Sequence, residues 1–262
     1  MQNFNFSVPQ DIIVGAGSIK KLGKCAKSLQ GKHALIISGP HLNKMGLVDV
    51  CKQSLAEVGI PADAFTETEG NPSVETVEKA TKLYKECGAD FIVAFGGGSP
   101  MDVAKAVGVI AKYGGSITEY EGGGKVPGPI VPQIAIPTTA GTGSEVTAFS
   151  VITDHSRNYK LTVFSYELLP AYAILDPELL TSAPASVAAA CGIDAFIHAI
   201  ESYVSPKATL YTQMFSMKAM EMIMEGFRKI AEHGEIILVL GTRKQESSRR
   251  NRTMTNLEKK RV

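Results

Sequence analysis

An aspartate and a histidine four residues apart, Asp194 and His198, are the side chains in this chain best suited to hold a divalent metal ion. On a helix that spacing stacks the two on one face, so a carboxylate oxygen and an imidazole nitrogen can reach the same ion. The same pair also serves as a surface ion pair or as a buried histidine with its partner, so the neighbouring motifs have to decide. Upstream, Gly96-Gly97-Gly98-Ser99-Pro100-Met101-Asp102-Val103-Ala104-Lys105 follows an apolar run at 89–95 and opens a helix. Glycines let a ligand come close to the backbone, and a helix N-terminus offers N–H groups and a partial positive charge, which suits a pyrophosphate. The absence of Gly-Lys-Ser/Thr excludes a Walker loop, and G-x-G-x-x-G is absent too. The alternative is a tight turn whose Asp102 complements the helix dipole.

A second loop, Pro137-Thr138-Thr139-Ala140-Gly141-Thr142-Gly143-Ser144-Glu145, follows the strand-like 134–136. Its hydroxyls and N–H groups sit where open α/β sheets bind ligands, at the carboxyl end of a strand. It also reads as an ordinary polar loop in which Ser144 and Glu145 start a helix. Two such loops at neighbouring strand ends favour a dinucleotide site over either loop alone. Gly15-Ala16-Gly17 reads as a turn.

The elements that must position these residues alternate. Residues 33–38 form a strand, 49–58 a helix stopped by Gly59-Ile60-Pro61, and Ser73 caps a helix running through Cys87 before Gly88. A buried strand at 89–95, a helix from Pro100 through Ile110 and a strand at 133–136 follow. The pattern predicts an α/β fold with a largely parallel, Rossmann-like sheet. After Leu179 only helices are expected, at 186–203 and 209–232, so a second, all-helical domain begins near Pro177. The expected domains are 1–177, 178–232 and a basic tail at 233–262.

Composition narrows the classes. With 44% hydrophobic and 20% charged residues over 262 positions, the chain can bury a large core. A formal charge of +1 gives no general drive toward nucleic acid or an anionic membrane. Four scattered cysteines without a C-x-x-C pair argue against a zinc ribbon or a disulfide framework and are expected to be reduced core thiols. No signal-like N-terminus and no membrane-length run is expected, so the chain reads as cytoplasmic.

On GGGSPMDVAK at 96–105, PTTAGTGSE at 137–145, ILDPELL at 174–180 and CGIDAFIHAIESYVS at 191–205, the chain resembles the iron-containing alcohol dehydrogenases, of the dehydroquinate synthase-like superfamily. The resemblance covers about residues 4–230. It implies an N-terminal dinucleotide-binding α/β domain, a C-terminal helical domain, and reversible hydride transfer between NAD(P) and a small alcohol or aldehyde. It implies that Gly97, Gly98 and Ser99 meet the pyrophosphate beside Asp102, and that Thr138, Thr139 and Thr142 line the phosphate and nicotinamide-ribose region. It also implies that Phe149 and Lys160 flank the nicotinamide, that Leu179 lies near the adenosine, and that the protein is a possible homodimer. Asp194 and His198 match the first two of four ligands, normally one Asp and three His, for Fe²⁺ or Zn²⁺ that would polarise the substrate oxygen. At Gly39 NAD-preferring relatives commonly carry an acidic residue; its loss predicts that NADP(H) is accepted.

The chain also departs from the family pattern. Only His233 follows His198, in an unrelated context, so two ligands are missing and metal retention is expected to be poor. Residues 241–262 hold eight Lys/Arg against two Asp/Glu without aromatics, which predicts a disordered tail rather than a nucleic-acid-binding arm and a chain truncated relative to the family. Two functions remain in view: a metal-dependent alcohol dehydrogenase, and a catalytically impaired remnant that only binds NAD(P).

Overall fold

The computed structural model describes residues 11–233. Six strands form one fully parallel sheet: β1 (Asp11–Val14), β2 (Ala34–Ile37), β3 (Ala62–Phe65), β4 (Phe91–Gly96), β6 (Gln133–Pro137) and β9 (Tyr172–Leu175). Their order across the sheet is β1-β9-β6-β4-β2-β3. Between them run α1 (Leu22–Ser28), α2 (Pro40–Lys44), α3 (Leu47–Ala56), α4 (Val74–Cys87) and α5 (Gly98–Tyr113). The three central strands are buried along their whole length, as unbroken apolar runs in a parallel sheet require.

Side chains two apart share a face, which divides the core in two. Leu35, Ile37, Ile92 and Ala94 pack with Val77 and Ala80 of α4 and Val103 and Val107 of α5. Ala34, Ile36, Phe91, Val93 and Phe95 pack on the other face with Leu22 and Ala26 of α1 and Val48 and Leu55 of α3. Helix α4 starts where its cap predicts: Ser73 Oγ accepts from the Thr76 N–H, and both hydroxyls bond the Glu69 carboxylate. Gly88, left-handed at φ 66°, ends it.

The strict alternation predicted before Leu179 fails at residues 149–164. An antiparallel hairpin of β7 (Phe149–Asp154) and β8 (Tyr159–Phe164), with the short β5 (Gly122–Gly123) at its edge, makes a second sheet. Its turn is organised by Asp154, whose carboxylate accepts from the Ser156 N–H and Oγ and from Arg157 Nε. Those bonds hold the Asp154 carboxyl down at about 2. Ser144 and Glu145 do not start a long helix but a single tight turn, Ser144–Val146.

Helices α6 (Ala185–Val204) and α7 (Leu210–His233) follow, with no strand between them among the described residues. The chain divides into two compact units within α6, one through Ala195 and one from Phe196. The second unit leaves Val204, Leu210, Met214 and Met217 more than half exposed. Contrary to the expectation of no membrane-length run, α6 is long and apolar enough to cross a bilayer by length and composition alone. Asp194, His198 and Glu201 lie along it, and an Asp at a bilayer centre costs about 3 kcal/mol, which argues against a lipid setting. The cysteines are free thiols, but only Cys25 and Cys51 are core; Cys87 and Cys191 are half-buried. The basic tail lies outside the described residues.

Asp176, buried at the end of β9, ties the sheet's outer edge. Its carboxylate accepts from the N–H groups of Gly17 and Ile19 and caps the turn Pro177–Ser182 through Glu178 N–H. Asp176→Ala would leave the buried Ile19 amide unpaired and is expected to cost about 2–3 kcal/mol in denaturant unfolding.

Candidate dinucleotide and metal site

The glycine turn leaves β4 at its carboxyl end. Gly96 has φ 144°, a conformation that favours glycine, and a Cβ there would lie 2.8 Å from Pro100 Cγ. Gly97 is the N-cap of α5, so the helix carries no side-chain cap bond at its first turn. No acidic side chain falls in its first turn, so the positive end of the helix dipole is left for an incoming anion. Strand β6 runs beside β4 with Pro137 opposite Gly96, and Thr138 N–H donates to Gly96 O at 2.9 Å. The two loops therefore leave adjacent strands side by side. A Cβ on Gly97 would stand 3.1 Å from Thr139 Oγ1, and one on Gly98 3.0 Å from Thr142 Cγ2. The glycines are where the threonine loop comes to rest.

Lys105, in the same motif but not singled out from sequence, holds that loop. The residue is 1% exposed, and its ammonium donates to the carbonyls of Ser144 at 2.7 Å and of Thr147 and Phe149 at 2.8 Å. Half-buried Asp102 accepts from Ser144 Oγ at 2.9 Å. Asp102 is thus engaged with the loop's exit. Burial raises the Asp102 carboxyl to about 6, against the pull of Lys105, and burial draws the Lys105 ammonium down to about 8, against the pull of Asp102. Burial also raises the Glu145 carboxyl. One lysine inside the otherwise apolar stretch 103–111 was the available sequence signal.

The threonine loop also meets α6. A Cβ on Gly141 would fall 2.7 Å from the Cys191 carbonyl oxygen, so only glycine allows this approach. Burial raises the Cys191 thiol, a hydrogen bond with the Thr139 side chain opposes the rise, and the Asp194 carboxylate adds to it. The loop thereby touches the turn of α6 that leads to Asp194. Both Asp194 and His198 lie within α6, where their spacing puts them on one helix face. Among the described residues no third His, Cys, Asp or Glu donor completes a group of three with them. A catalytic zinc or ferrous centre takes at least three protein donors, so these two alone do not fit such an ion. The His233 side chain lies outside the described residues.

At the end of β2, Gly39 caps α2 in an extended conformation, and a Cβ on it would lie 3.3 Å from the Thr68 carbonyl. Ser38 Oγ and Thr68 Oγ1, buried on either side, have no hydrogen-bond partner among the described residues. Two unsatisfied hydroxyls beside a glycine at a strand's carboxyl end, with the open helix terminus of α5 nearby in sheet order, fit a polar ligand such as a dinucleotide. Phe149 is 47% exposed and packs on the Phe164 ring at 4.8 Å. Lys160 stands four ladder positions away and donates to Asn71 Oδ1 at 2.7 Å. Leu179 is buried in the core beneath β6 and β9, with Ile19 and Ile174. Thr138 is buried, Gly97, Gly98, Ser99 and Thr139 half-buried, and Thr142 exposed.

A fully parallel α/β sheet thus carries a glycine turn and a hydroxyl loop that meet at one helix terminus. The chain belongs to the iron-containing alcohol dehydrogenase family, whose profile matches residues 9–177, with the C-terminal profile of that family matching 188–237. It is 39% identical over 233 residues to the NAD-dependent methanol dehydrogenase of Bacillus methanolicus, covering 89% of this chain and 61% of the relative. It is 37% identical over 236 residues to the NADPH-dependent butanol dehydrogenase of Clostridium saccharobutylicum, covering 87% and 58%. A solved 1,3-propanediol oxidoreductase superposes with a TM-score of 0.86 at 35% identity, covering 89% of this chain and 61% of that one. The chain thus spans about three fifths of the length of these relatives.

Gly98→Ala is expected to push Thr142 off its seat and weaken NAD(P) binding about tenfold, equivalent to about 1.4 kcal/mol, with the fold retained by circular dichroism. Lys105→Met strands Asp102 and three carbonyls, and is expected to cost about 3–5 kcal/mol in denaturant unfolding. It also bears on pH. The folded Asp102 pKa, about 6, lies above its ordinary 3.8, so its contribution to stability grows as pH falls from 6 toward 4. Without the cation the Asp102 carboxyl rises further and that window widens upward, which stability measured against pH reads directly.

Proposed function

We propose that this chain serves NAD(P)-dependent alcohol dehydrogenation, a reversible hydride transfer between a small alcohol or aldehyde and the nicotinamide cofactor. The observation that carries it is the convergence of Gly97, Gly98 and Gly141 on Thr139, Thr142 and Cys191, one helical turn before Asp194. In this reading Gly97, Gly98 and Ser99 hold the pyrophosphate at the terminus of α5. Thr138, Thr139 and Thr142 line the adjoining phosphate and ribose, with Phe149 and Lys160 toward the nicotinamide and Leu179 behind the adenosine. Asp102 acts with Lys105 as a positioning group. When bound, the nicotinamide ring gives or takes the hydride. Asp194 and His198 supply half of an iron or zinc ligand set. A domain boundary near Pro177 rests on the change there from alternating elements to helices, and a homodimer on family resemblance.

Among the described residues no third donor joins Asp194 and His198, which favours a second reading, in which this stretch of chain binds NAD(P) without turnover. Metal analysis with a coupled assay separates the two. Near-stoichiometric iron or zinc with alcohol-dependent NAD(P) reduction supports dehydrogenation; cofactor binding with neither metal nor turnover overturns it in favour of the second.

We further propose that NADP(H) is accepted. Gly39 carries no carboxylate to repel a 2′-phosphate, and the Ser38 and Thr68 hydroxyls stand beside it without partners among the described residues. Both NAD- and NADPH-dependent proteins occur among the relatives. Gly39→Asp is expected to move the NADP(H)-to-NAD(H) ratio of dissociation constants toward NAD(H) by about tenfold or more. A wild-type chain with strong NAD(H) preference would contradict the assignment.

A further inference from the structure

At the opposite end of the sheet a second set of metal-type donors comes together. His33 directly precedes β2, Asp63 is the second residue of β3, and Cys87 is the last residue of α4. Since Leu35 pairs with Asp63, strand parity puts His33 and Asp63 on the sheet face that α4 covers, and the last turn of α4 delivers Cys87 to the same edge. His33 Nε2 lies 2.8 Å from Asp63 Oδ2, and one ligand atom from each of the three residues lies within 4.8 Å of the other two. The cluster sits near the amino end of the strands, whereas the glycine turn leaves the carboxyl end of β4, about 20 Å away along the six residues of that strand.

The support beneath these residues is rigid. The Asp90 carboxylate accepts the N–H groups of Lys32 and His33, each at 3.0 Å, and fixes the entry to β2. Cys87 is held by the final turn of α4, where its thiol donates to Tyr84 O at 3.5 Å. His33 and Cys87 are half-buried and Asp63 is exposed, so the side facing solvent is open for a water. One imidazole nitrogen, one thiolate and one carboxylate form a mixed donor set suited to a borderline-soft ion, with bond lengths of about 2.0–2.3 Å. Around such an ion the donors stand about 3.3–3.8 Å apart, so the cluster needs only side-chain rotation to close on it.

We propose that His33, Asp63 and Cys87 bind one divalent cation of the zinc class, with water as the fourth ligand, clasping β2, β3 and α4 at the edge of the sheet. The cation would take the place of the Cys87 thiol proton, which leaves to solvent, and would separate the His33–Asp63 contact.

Cobalt(II) alone, titrated into the full chain under a non-chelating reductant, tests this. A thiolate-to-cobalt charge-transfer band is expected, saturating at one equivalent and bleached by Zn²⁺. It should vanish in Cys87→Ser and fall in His33→Gln, and it should persist in Cys191→Ser and in the Asp194→Asn/His198→Gln double variant. Asp63→Asn, at an exposed position that leaves the fold intact, should weaken Zn²⁺ binding roughly tenfold or more by competition with a chromophoric chelator. Absence of the band, or a band that survives Cys87→Ser, or one that disappears with Cys191→Ser, overturns the assignment.

Discussion

The buried ammonium of Lys105 sets the course of the chain around the glycine and threonine loops. An ammonium removed from water needs its protons accepted, and here the carbonyls of Ser144, Thr147 and Phe149 accept them. Those carbonyls belong to the segment joining the threonine loop to β7. The loop must therefore leave β6, pass over α5 and enter the hairpin along one path. Asp102 completes the arrangement by accepting from Ser144, which keeps its carboxylate occupied at the loop's exit while the first turn of α5 stays free of acidic side chains. The same network anchors the loop and preserves the positive helix terminus.

Close approach does the rest. Gly97, Gly98 and Gly141 occupy positions where a methyl group would meet Thr139, Thr142 and the Cys191 backbone. Packing at that density transmits displacement, because neighbouring side chains have no room to yield. The hydroxyl loop thus rests on the helix terminus on one side and on the Cys191 turn of α6 on the other, all within the first unit of the chain. The hairpin contributes by anchoring as well: Lys160 reaches Asn71, and Thr153 N–H donates to Pro72 O, so β7 and β8 are fastened to the segment that caps α4.

The parallel sheet separates two chemistries by its polarity. Carboxyl ends of strands collect glycines, hydroxyls and helix N-termini; amino ends collect helix C-termini and the residues entering strands. His33, Asp63 and Cys87 meet at the latter edge because strand parity and the end of α4 coincide there. Beyond Ala195 the described chain exposes large apolar side chains, and its helices carry far less of the core than the sheet does.

Much of this was legible in the residues alone. Unbroken apolar runs marked the central strands, Ser73 and Gly88 bounded α4, and the order of the glycine and threonine motifs identified a dinucleotide fold with Asp194 and His198 on one helix. Those are local properties: periodicity, capping and backbone freedom depend on neighbours a few residues away. The hairpin at 149–164 was not legible, because its turn is closed by the Asp154 carboxylate accepting from Ser156 and Arg157 rather than by a glycine pair that marks a tight hairpin in sequence. Lys105 as an anchor, the seating of Gly98 against Thr142, the Asp176 staple and the His33–Asp63–Cys87 cluster join residues about 24 to 160 positions apart, and no local periodicity encodes them. The sequence by itself determined the elements and the chemistry each could carry; only the tertiary structure decided which of those groups meet, because contacts between distant segments follow from sheet order, strand parity and the depth at which a charge is buried.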